Sequence, residues 1–160
     1  MQETLPERTS WQTVVLPFSK LSTSFVSGVQ DKNRIEISYF QAAGDTSRLF
    51  AEICYGDYAA GPPGHAHGGA QAAVLDELCG GIVWLQNHKA LAVKLETEFL
   101  QMIPLGESLT GIATVLNTDR RKVYTEASIV NEQGVVLAKA KTLFVKLTED
   151  QLKNLAIYQK

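Results

Sequence analysis

The chain has 160 residues and a mass of 17.5 kDa, the size of one ordinary domain. Hydrophobic residues make up 45% of it, about 72 side chains, which is enough for one core. Fifteen basic and seventeen acidic residues give a net charge of −2, which excludes a broadly basic nucleic-acid-binding protein. A charged fraction of 20% excludes a disordered chain, and no apolar run approaches the roughly 20 residues of a membrane helix.

Two further features, the N-terminal residues and the number of cysteines, bear on the expected location and metal content of the protein. Residues 1–8 contain no apolar stretch typical of a secretory signal. Two cysteines, Cys54 and Cys79, are too few for a disulfide framework or a zinc site. We therefore expect a cytoplasmic protein that binds no metal, no nucleic acid and no membrane.

The first 33 residues have the weakest pattern, and we interpret them as an extension that packs on the following domain. Pro17 and the Ser/Thr-rich run 19–27 argue against a long helix. The side chains that could pack on the domain are Trp11, Val14, Val15, Leu16 and Phe18.

From residue 34 the sequence predicts two strands and a loop. Apolar residues alternate with polar ones over 35–39, and Gly44-Asp45 marks a turn. Residues 49–55 form the return strand. The segment 56–64, rich in glycine and proline, predicts a loop.

Residues 69–86 predict a helix that is apolar on nearly every side, and such a helix must be buried. Four strands follow, predicted at 93–99, 108–116, 123–129 and 135–147, with a short terminal helix capped by Thr148. Four consecutive hairpin-linked strands indicate an antiparallel sheet. Wrapping that sheet around the helix is the simplest way to bury it, which gives an α+β fold.

The start of the predicted helix has the features of an anion-binding site. Gly68 and Gly69 leave unpaired amides at the positive end of the helix dipole, and they let a ligand approach the backbone closely. This arrangement suits an oxyanion hole for a polarised carbonyl. The alternative is that the glycines only allow the loop to turn into the helix.

Asp76 lies in the middle of the apolar helix, where a carboxylate without a partner is costly. It is either a general base or nucleophile with a raised pKa, or a structural hydrogen-bonding group. Glu77, about 100° further round the helix, is a second candidate and is expected to be the more solvated of the two.

These residues together resemble the hotdog-fold acyl-CoA thioesterases, in the branch of the phenylacetate-pathway and 4-hydroxybenzoyl-CoA thioesterases. The similar features are His67-Gly68-Gly69, a mostly apolar helix, and an acid nine residues after the histidine at Asp76. The segments 61–64 and 103–106 add to the match, which covers roughly residues 34–147. The resemblance implies a hotdog fold, an antiparallel sheet wrapped around one long central helix, over residues 34–160, preceded by the extension 1–33.

The resemblance also implies roles for individual residues. The amide of Gly68 would bind the thioester carbonyl oxygen, and His67 would shape the loop or steady the thioester. Asp76 would activate water or attack the carbonyl. Relatives carry Ser or Thr on the strand after the helix, where this chain has Ala92.

Substrate contacts are predicted at five further residues. No cofactor is expected, because coenzyme A is part of the substrate. Basic side chains suit the phosphates of coenzyme A, and Tyr58 suits an acyl pocket. The predicted contacts are Gly69, Tyr58, Arg120, Arg121 and Lys122.

The helix geometry predicts a homodimer. Asp76 follows Gly69 by seven residues, about 10 Å along a helix, whereas an oxyanion donor and a base must both lie about 3 Å from the reacting atoms. Two antiparallel helices related by a two-fold axis solve this problem, with Gly68 of one chain facing Asp76 of the other. In the resembling family such dimers commonly pair again into tetramers.

We therefore predict hydrolysis of an acyl-CoA thioester to the free acid and coenzyme A. The alternative is a hotdog protein that binds acyl-CoA or an acyl carrier without turnover.

Overall fold

A computed structural model describes residues 2–5, 7–17, 23–28 and 31–155 of the chain. Within these ranges one seven-stranded antiparallel sheet carries a long helix on its inner face. The elements in chain order are β1 (Trp11–Val14), β2 (Ile35–Ala42), β3 (Asp45–Tyr55), α1 (Gly68–Leu85), β4 (Ala90–Phe99), β5 (Leu109–Asp119), β6 (Lys122–Val130), β7 (Val136–Lys146) and α2 (Glu149–Lys153). The α+β class and the hotdog arrangement of a sheet around one long helix are confirmed.

The order of strands corrects one prediction. The sheet runs β1-β2-β3-β5-β6-β7-β4, so β4 is not linked to β5 by a hairpin. It pairs with β7 at the edge of the sheet, while β5 pairs with β3 and β6. Residues 100–108 carry the chain from one side of the sheet to its middle, because β4 ends far from the place where β5 begins.

Helix α1 is buried because five strands pack against it. It contacts β3, β4, β5, β6 and β7, and its fully buried side chains include Val74, Leu75, Leu78 and Ile82. Glycines allow the closest approaches: a Cβ on Gly111 of β5 would lie 2.7 Å from Leu78. The helix therefore sits in the curve of the sheet with little space to spare.

The N-terminal segment packs on both faces of the sheet. Trp11 of β1 stacks on Phe50 at the outer face, with ring centroids 5.1 Å apart. Leu16 is only 2% exposed and packs on the inner side. Val15, predicted to pack, is 57% exposed because it lies on the opposite side of the chain, and Phe18 lies outside the described residues. The short strand β1 was not predicted from the sequence, and the division at residue 33 stays a prediction.

The edge strand β4 exposes apolar side chains. A bulge between Ala92 and Lys94 interrupts the predicted alternation, but Leu95 and Phe99 still lie on the same side of the sheet as α1. Both are exposed, as are Leu91 and Val93. A row of apolar residues along an unpaired edge is typical of an interface.

No helix in the described part of the chain is both long and apolar enough to cross a membrane.

Replacing Gly111 with Ala is expected to destabilise the fold by about 1–3 kcal/mol, because the new methyl group overpacks the core between Leu78 and Ile53. The matched control is Gly80→Ala on α1, whose Cβ would lie 3.8 Å from the ring of Phe144 in ordinary contact. It is expected to leave stability unchanged or slightly increased, since alanine favours a helix over glycine. Urea unfolding of both variants checks this, and equal loss in both would contradict the packing argument.

Candidate active site

The loop before α1 is held in place by backbone hydrogen bonds. The amide of His67 donates to the carbonyl of Ala59 at 2.7 Å, and the amide of Ala66 donates to the carbonyl of Ile103 at 2.8 Å. The second bond joins the loop to residues 103–106, so the two segments on either side of the motif lie together. A Cβ on Gly61 would be 2.8 Å from the Cα of His67, so the loop requires glycine there.

His67 caps the helix. Its Nδ1 accepts a hydrogen bond from the amide of Gly69 at 2.8 Å, which fixes the start of the helix and occupies one of its four free donors. Gly69 therefore does not offer its own amide to a ligand in this arrangement.

The amide of Gly68 stays open. It makes no hydrogen bond within the described ranges, which end at residue 155, and it lies at the positive end of an 18-residue helix. A Cβ on Gly68 would be 3.4 Å from the ring of Phe99, so an apolar wall stands beside the donor. The arrangement suits binding of a carbonyl oxygen that becomes negatively charged during a reaction.

Two open grooves flank the start of the helix. The Gly68 groove, about 340 Å³, is lined by Gly68, Gln71, Phe99, Leu100 and Met102, among others. The Tyr58 groove, about 390 Å³, is lined by Phe25, Arg34, Tyr58, His67 and Gly69, among others. Tyr58 is 79% exposed, so it borders a surface groove beside His67 and not the interior.

Gln71 belongs to the Gly68 groove, and sequence reasoning did not single it out as a site residue. Its side chain is buried, and its Nε2 donates to the carbonyl of Ala66 at 3.1 Å. Its Oε1 is buried without a hydrogen-bond partner among the described residues. The signal in the sequence was a polar residue one turn into an otherwise apolar helix.

Asp76 and Glu77 are both half-buried on α1. Burial raises the pKa of Asp76 above its ordinary value. Burial also raises the pKa of Glu77, the hydrogen bond from Ser27 lowers it, and the charge of Asp76 raises it further.

The expectation that Glu77 is the more solvated carboxylate is wrong, because the N-terminal segment covers it. Ser27 donates to Oε1 of Glu77 at 2.7 Å, and the Ser27 hydroxyl also lies 2.7 Å from the hydroxyl of Tyr39. Asp76 has no hydrogen bond or ion pair to any residue in the described ranges. Its carboxylate is therefore the one available to a ligand or a water molecule.

Asp76 and Glu77 line a small cavity of about 150 Å³, called here the Asp76 cavity. Its other lining residues are Leu16, Pro17, Gly80, Gly81, Trp84, Ala90, Leu91, Ala92 and Phe144. Ala92 thus faces the same space as Asp76 and brings no hydroxyl group to it.

Cys79, one turn beyond Asp76, is not a nucleophile. It is fully buried, and burial raises the pKa of its thiol to about 11, although hydrogen bonds to Thr125 and Thr142 oppose the shift. The thiol is therefore protonated at neutral pH, and the reactive form is the thiolate.

The three basic residues predicted to bind phosphate lie in the turn between β5 and β6. Arg120 adopts a left-handed conformation with φ 51°. Arg121 donates through Nε and Nη2 to the carbonyl of Lys146, which joins the turn to the end of β7. Lys122 pairs with Val145, which on its other side pairs with Leu91. The turn therefore lies about two strand spacings, roughly 10 Å, from the start of β4.

Within one chain the predicted site residues fall into separate places. His67 and Gly69 are in contact, and Asp76 and Glu77 share a cavity. Gly68 lies about 12 Å along the helix from Asp76, because eight residues separate them at 1.5 Å per residue. The basic turn lies near the opposite end of the helix from Gly68.

The known proteins to which this chain is similar are thioesterases. Residues 63–138 match the family model of the thioesterase superfamily. The chain is 34% identical over 94 residues to the acyl-coenzyme A thioesterase THEM4 of Xenopus laevis, a match that covers 58% of this chain and 42% of the frog protein. The chain spans about two-fifths of the length of the curated relatives it matches.

Solved structures share the fold. A crystal structure of a thioesterase superfamily protein superimposes with a TM-score of 0.66 at 26% identity, covering 69% of this chain and 54% of that one. A hypothetical thioesterase of Streptococcus pneumoniae, solved with coenzyme A, gives a TM-score of 0.61 at 17% identity, covering 71% of this chain and 88% of that one.

Replacing Asp76 with Asn is expected to stabilise the fold at neutral pH. Because burial raises the pKa of Asp76 in the folded state, the folded state binds more protons than the unfolded state between the two pKa values. Stability therefore falls as the pH rises through that window, and the uncharged amide removes this loss.

Thermal unfolding of wild type and Asp76→Asn from about pH 3 to pH 8 measures the effect. We expect a gain in melting temperature that is absent at the lowest pH, grows as the pH rises and then becomes constant. The exposed substitution Asp119→Asn is the control. A variant less stable than wild type at pH 7 would show that Asp76 makes a stabilising interaction.

Proposed function

We propose that the chain is a hotdog thioesterase and that it hydrolyses an acyl-CoA thioester to the free acid and coenzyme A. The observation that carries this proposal is the pairing, on one buried helix, of an open amide at Gly68 with a half-buried carboxylate at Asp76 that no described residue holds. The names of the relatives, acyl-coenzyme A thioesterases, support the same reaction.

The chemistry follows from these two groups. The amide of Gly68 donates to the thioester carbonyl oxygen, which gains negative charge as the carbonyl carbon becomes tetrahedral. Asp76 removes a proton from a water molecule, and the water oxygen bonds to the carbonyl carbon. The carbon–sulfur bond then breaks, and the thiol of coenzyme A leaves with a proton. Direct attack by the Asp76 carboxylate, followed by hydrolysis of the resulting anhydride, has the same overall balance.

The separation of the two groups favours a dimer in which each site is shared. A gap of about 12 Å along the helix axis is too large for one carbonyl to be reached by Gly68 and Asp76 of the same chain. The exposed apolar edge of β4 offers the matching surface, since an edge strand can pair with a second copy of itself.

Antiparallel pairing of β4 with its copy would bring the two halves of the site together. The Phe99 end of one strand would meet the Ala90 end of the other. Phe99 borders the Gly68 groove, whereas Ala90, Leu91 and Ala92 line the Asp76 cavity. The Gly68 groove of one subunit would therefore open onto the Asp76 cavity of the other. Such dimers could pair again into a tetramer through their remaining surfaces.

The same pairing gives the basic residues a function. The turn with Arg120, Arg121 and Lys122 lies on the Ala90 side of β4, and in the dimer it would flank the entrance to the Gly68 groove of the other subunit. Exposed cations there would attract the phosphates of coenzyme A. Arg121 keeps guanidinium donors for this purpose beyond the two that bind Lys146.

A non-catalytic acyl-CoA or acyl-carrier binding protein is the second candidate. Ala92 favours it, because the described residues that line the Asp76 cavity do not include the hydroxyl that the resemblance implies there. The two candidates differ in one readout: a binding protein is stabilised by acyl-CoA without releasing free thiol.

Asp76→Asn is expected to lower kcat for thiol release by about 10²–10⁴-fold, because it removes the base, while the dimer persists. Thiol release from a panel of acyl-CoA esters, followed with a thiol-reactive dye, measures the rate, and light scattering measures the mass. If the variant released thiol as fast as the wild type, the proposed role of Asp76 would be contradicted.

Gly68→Pro should lower kcat by about 10²–10³-fold, because it deletes one oxyanion donor. Gly68 is the first helical residue, where proline fits and the missing N–H costs no helical bond, and His67 already has the extended conformation that precedes proline, with ψ 139°. The matched control is Gly68→Ala, which keeps the donor. An equal loss in both variants would indicate crowding against Phe99 and not a lost hydrogen bond.

Co-expression of the two inactive variants tests the shared site. A mixed dimer of Asp76→Asn and Gly68→Pro chains would contain one site with both groups intact, so a random mixture should recover about a quarter of wild-type activity. Sites built within one chain would recover none. The separately purified variants, mixed after dimers have formed, are the control.

A further inference from the structure

The Asp76 cavity has a shape and lining that the proposed reaction leaves unassigned. Apart from the two carboxylates, the described residues that line it contribute apolar side chains and backbone, from α1, the start of β4, Phe144 of β7, and Leu16 and Pro17. A thioester carbonyl held next to Asp76 must place its acyl group somewhere within reach. Apolar pockets with a few polar groups are the usual binding sites for such groups.

The cavity has a buried end and an exposed end. Leu16 and Gly81 are buried and form its inner end, and Phe144, which pairs with Ala92, is buried along its side. Leu91 and Ala92 on the edge strand are exposed. The cavity therefore has an opening at β4, on the side where the proposed dimer places the thioester, and the buried side chain of Leu16 lies at its other end. A chain entering from β4 would meet Leu16.

The position of Leu16 is fixed by a glycine. A Cβ on Gly81 would lie 2.8 Å from the Leu16 Cδ1 and 2.8 Å from the Leu49 Cδ2, so only glycine lets Leu16 sit this close to the helix. Gly80, one residue earlier, has its nearest contact at 3.8 Å, on the ring of Phe144. Gly81 therefore allows Leu16 to form the end wall of the cavity. Gly80 leaves space along the side of the cavity, next to Phe144.

The volume limits what can enter. The cavity holds about 150 Å³, and an engineered apolar cavity of about that size binds one benzene molecule. An acyl group of about six carbon atoms would fill the cavity on this scale. A longer straight chain would have to displace Leu16 or leave its end in water.

We propose that the Asp76 cavity binds the acyl group of the substrate, and that Leu16 and Gly80 restrict it to short acyl groups of up to about six carbons, straight or as a single ring. This inference rests on the proposed thioesterase function and adds the substrate class. The N-terminal segment sets the specificity, because its Leu16 closes the inner end of the cavity.

The test compares kcat/KM for acetyl-, butanoyl-, hexanoyl-, benzoyl-, decanoyl- and palmitoyl-CoA in the full-length protein. We expect the highest values for butanoyl, hexanoyl or benzoyl and a drop of at least roughly tenfold from hexanoyl to decanoyl, since one methylene in such a pocket changes the rate by about 10–200-fold. Palmitoyl-CoA hydrolysed as fast as hexanoyl-CoA would overturn the proposal.

Two variants change the cavity in opposite directions. Gly80→Ala adds a methyl group to its wall, and the hexanoyl-to-acetyl ratio of kcat/KM should fall about tenfold. Leu16→Ala removes the end wall, and the decanoyl-to-hexanoyl ratio should rise about tenfold. Leu109→Ala, an equal truncation at a buried position outside the cavity, should leave both ratios unchanged.

The outcomes separate this proposal from the function it rests on. If Leu16→Ala does not fold, Gly80→Ala still tests the proposal. An unchanged hexanoyl-to-acetyl ratio of kcat/KM in Gly80→Ala would overturn the acyl site. If no thioester releases thiol, the proposed function fails, and thermal stabilisation by the same six ligands takes the place of turnover. A ranking that peaks at hexanoyl or benzoyl and is shifted to acetyl by Gly80→Ala would support the acyl site even then, and a flat ranking would reject it.

Discussion

Burial of one apolar helix is the constraint on which the rest of this structure depends. Helix α1 has apolar or small residues on almost every side, so it cannot lie on a surface and must be enclosed. The sheet curves around it, and glycines such as Gly111 and Gly81 remove the side chains that would keep the elements apart. Because the helix is rigid and packed on five strands, any group it carries is held at a fixed position.

That rigidity also fixes the distance between the two groups proposed for catalysis. Gly68 and Asp76 lie on the same rod, separated by a length that no rotamer can shorten. A site that needs both must take them from two helices, and the edge strand β4 presents the apolar surface that such pairing requires. The apolar edge of the sheet and the separation of the two groups therefore both support the proposed dimer.

The role proposed for Asp76 would oppose stability in this fold. Asp76 is half-buried and has no partner among the described residues, which costs free energy, and the raised pKa of Asp76 reflects its burial. Glu77, one residue further on, is in a similar environment but receives a hydrogen bond from Ser27. Among the described residues, Glu77 thus has a hydrogen-bond donor and Asp76 has none, which is the pattern expected if Asp76 does the proposed chemistry. The same N-terminal segment supplies Ser27 for Glu77 and Leu16 for the cavity of Asp76.

The sequence by itself determined the elements and the motif. The period of apolar residues predicted α1 and six of the seven strands, and the glycine pair followed by a mid-helix acid indicated both the anion-binding end and the resemblance to hotdog thioesterases. These features are local, since they depend on neighbours within one or two turns or one strand. Only the tertiary structure decided that β4 lies at the edge beside β7, that Glu77 is covered, that β1 joins the sheet, and that Leu16 closes a cavity next to Asp76. Each of these depends on contacts between residues far apart in the chain, which periodicity and spacing do not encode.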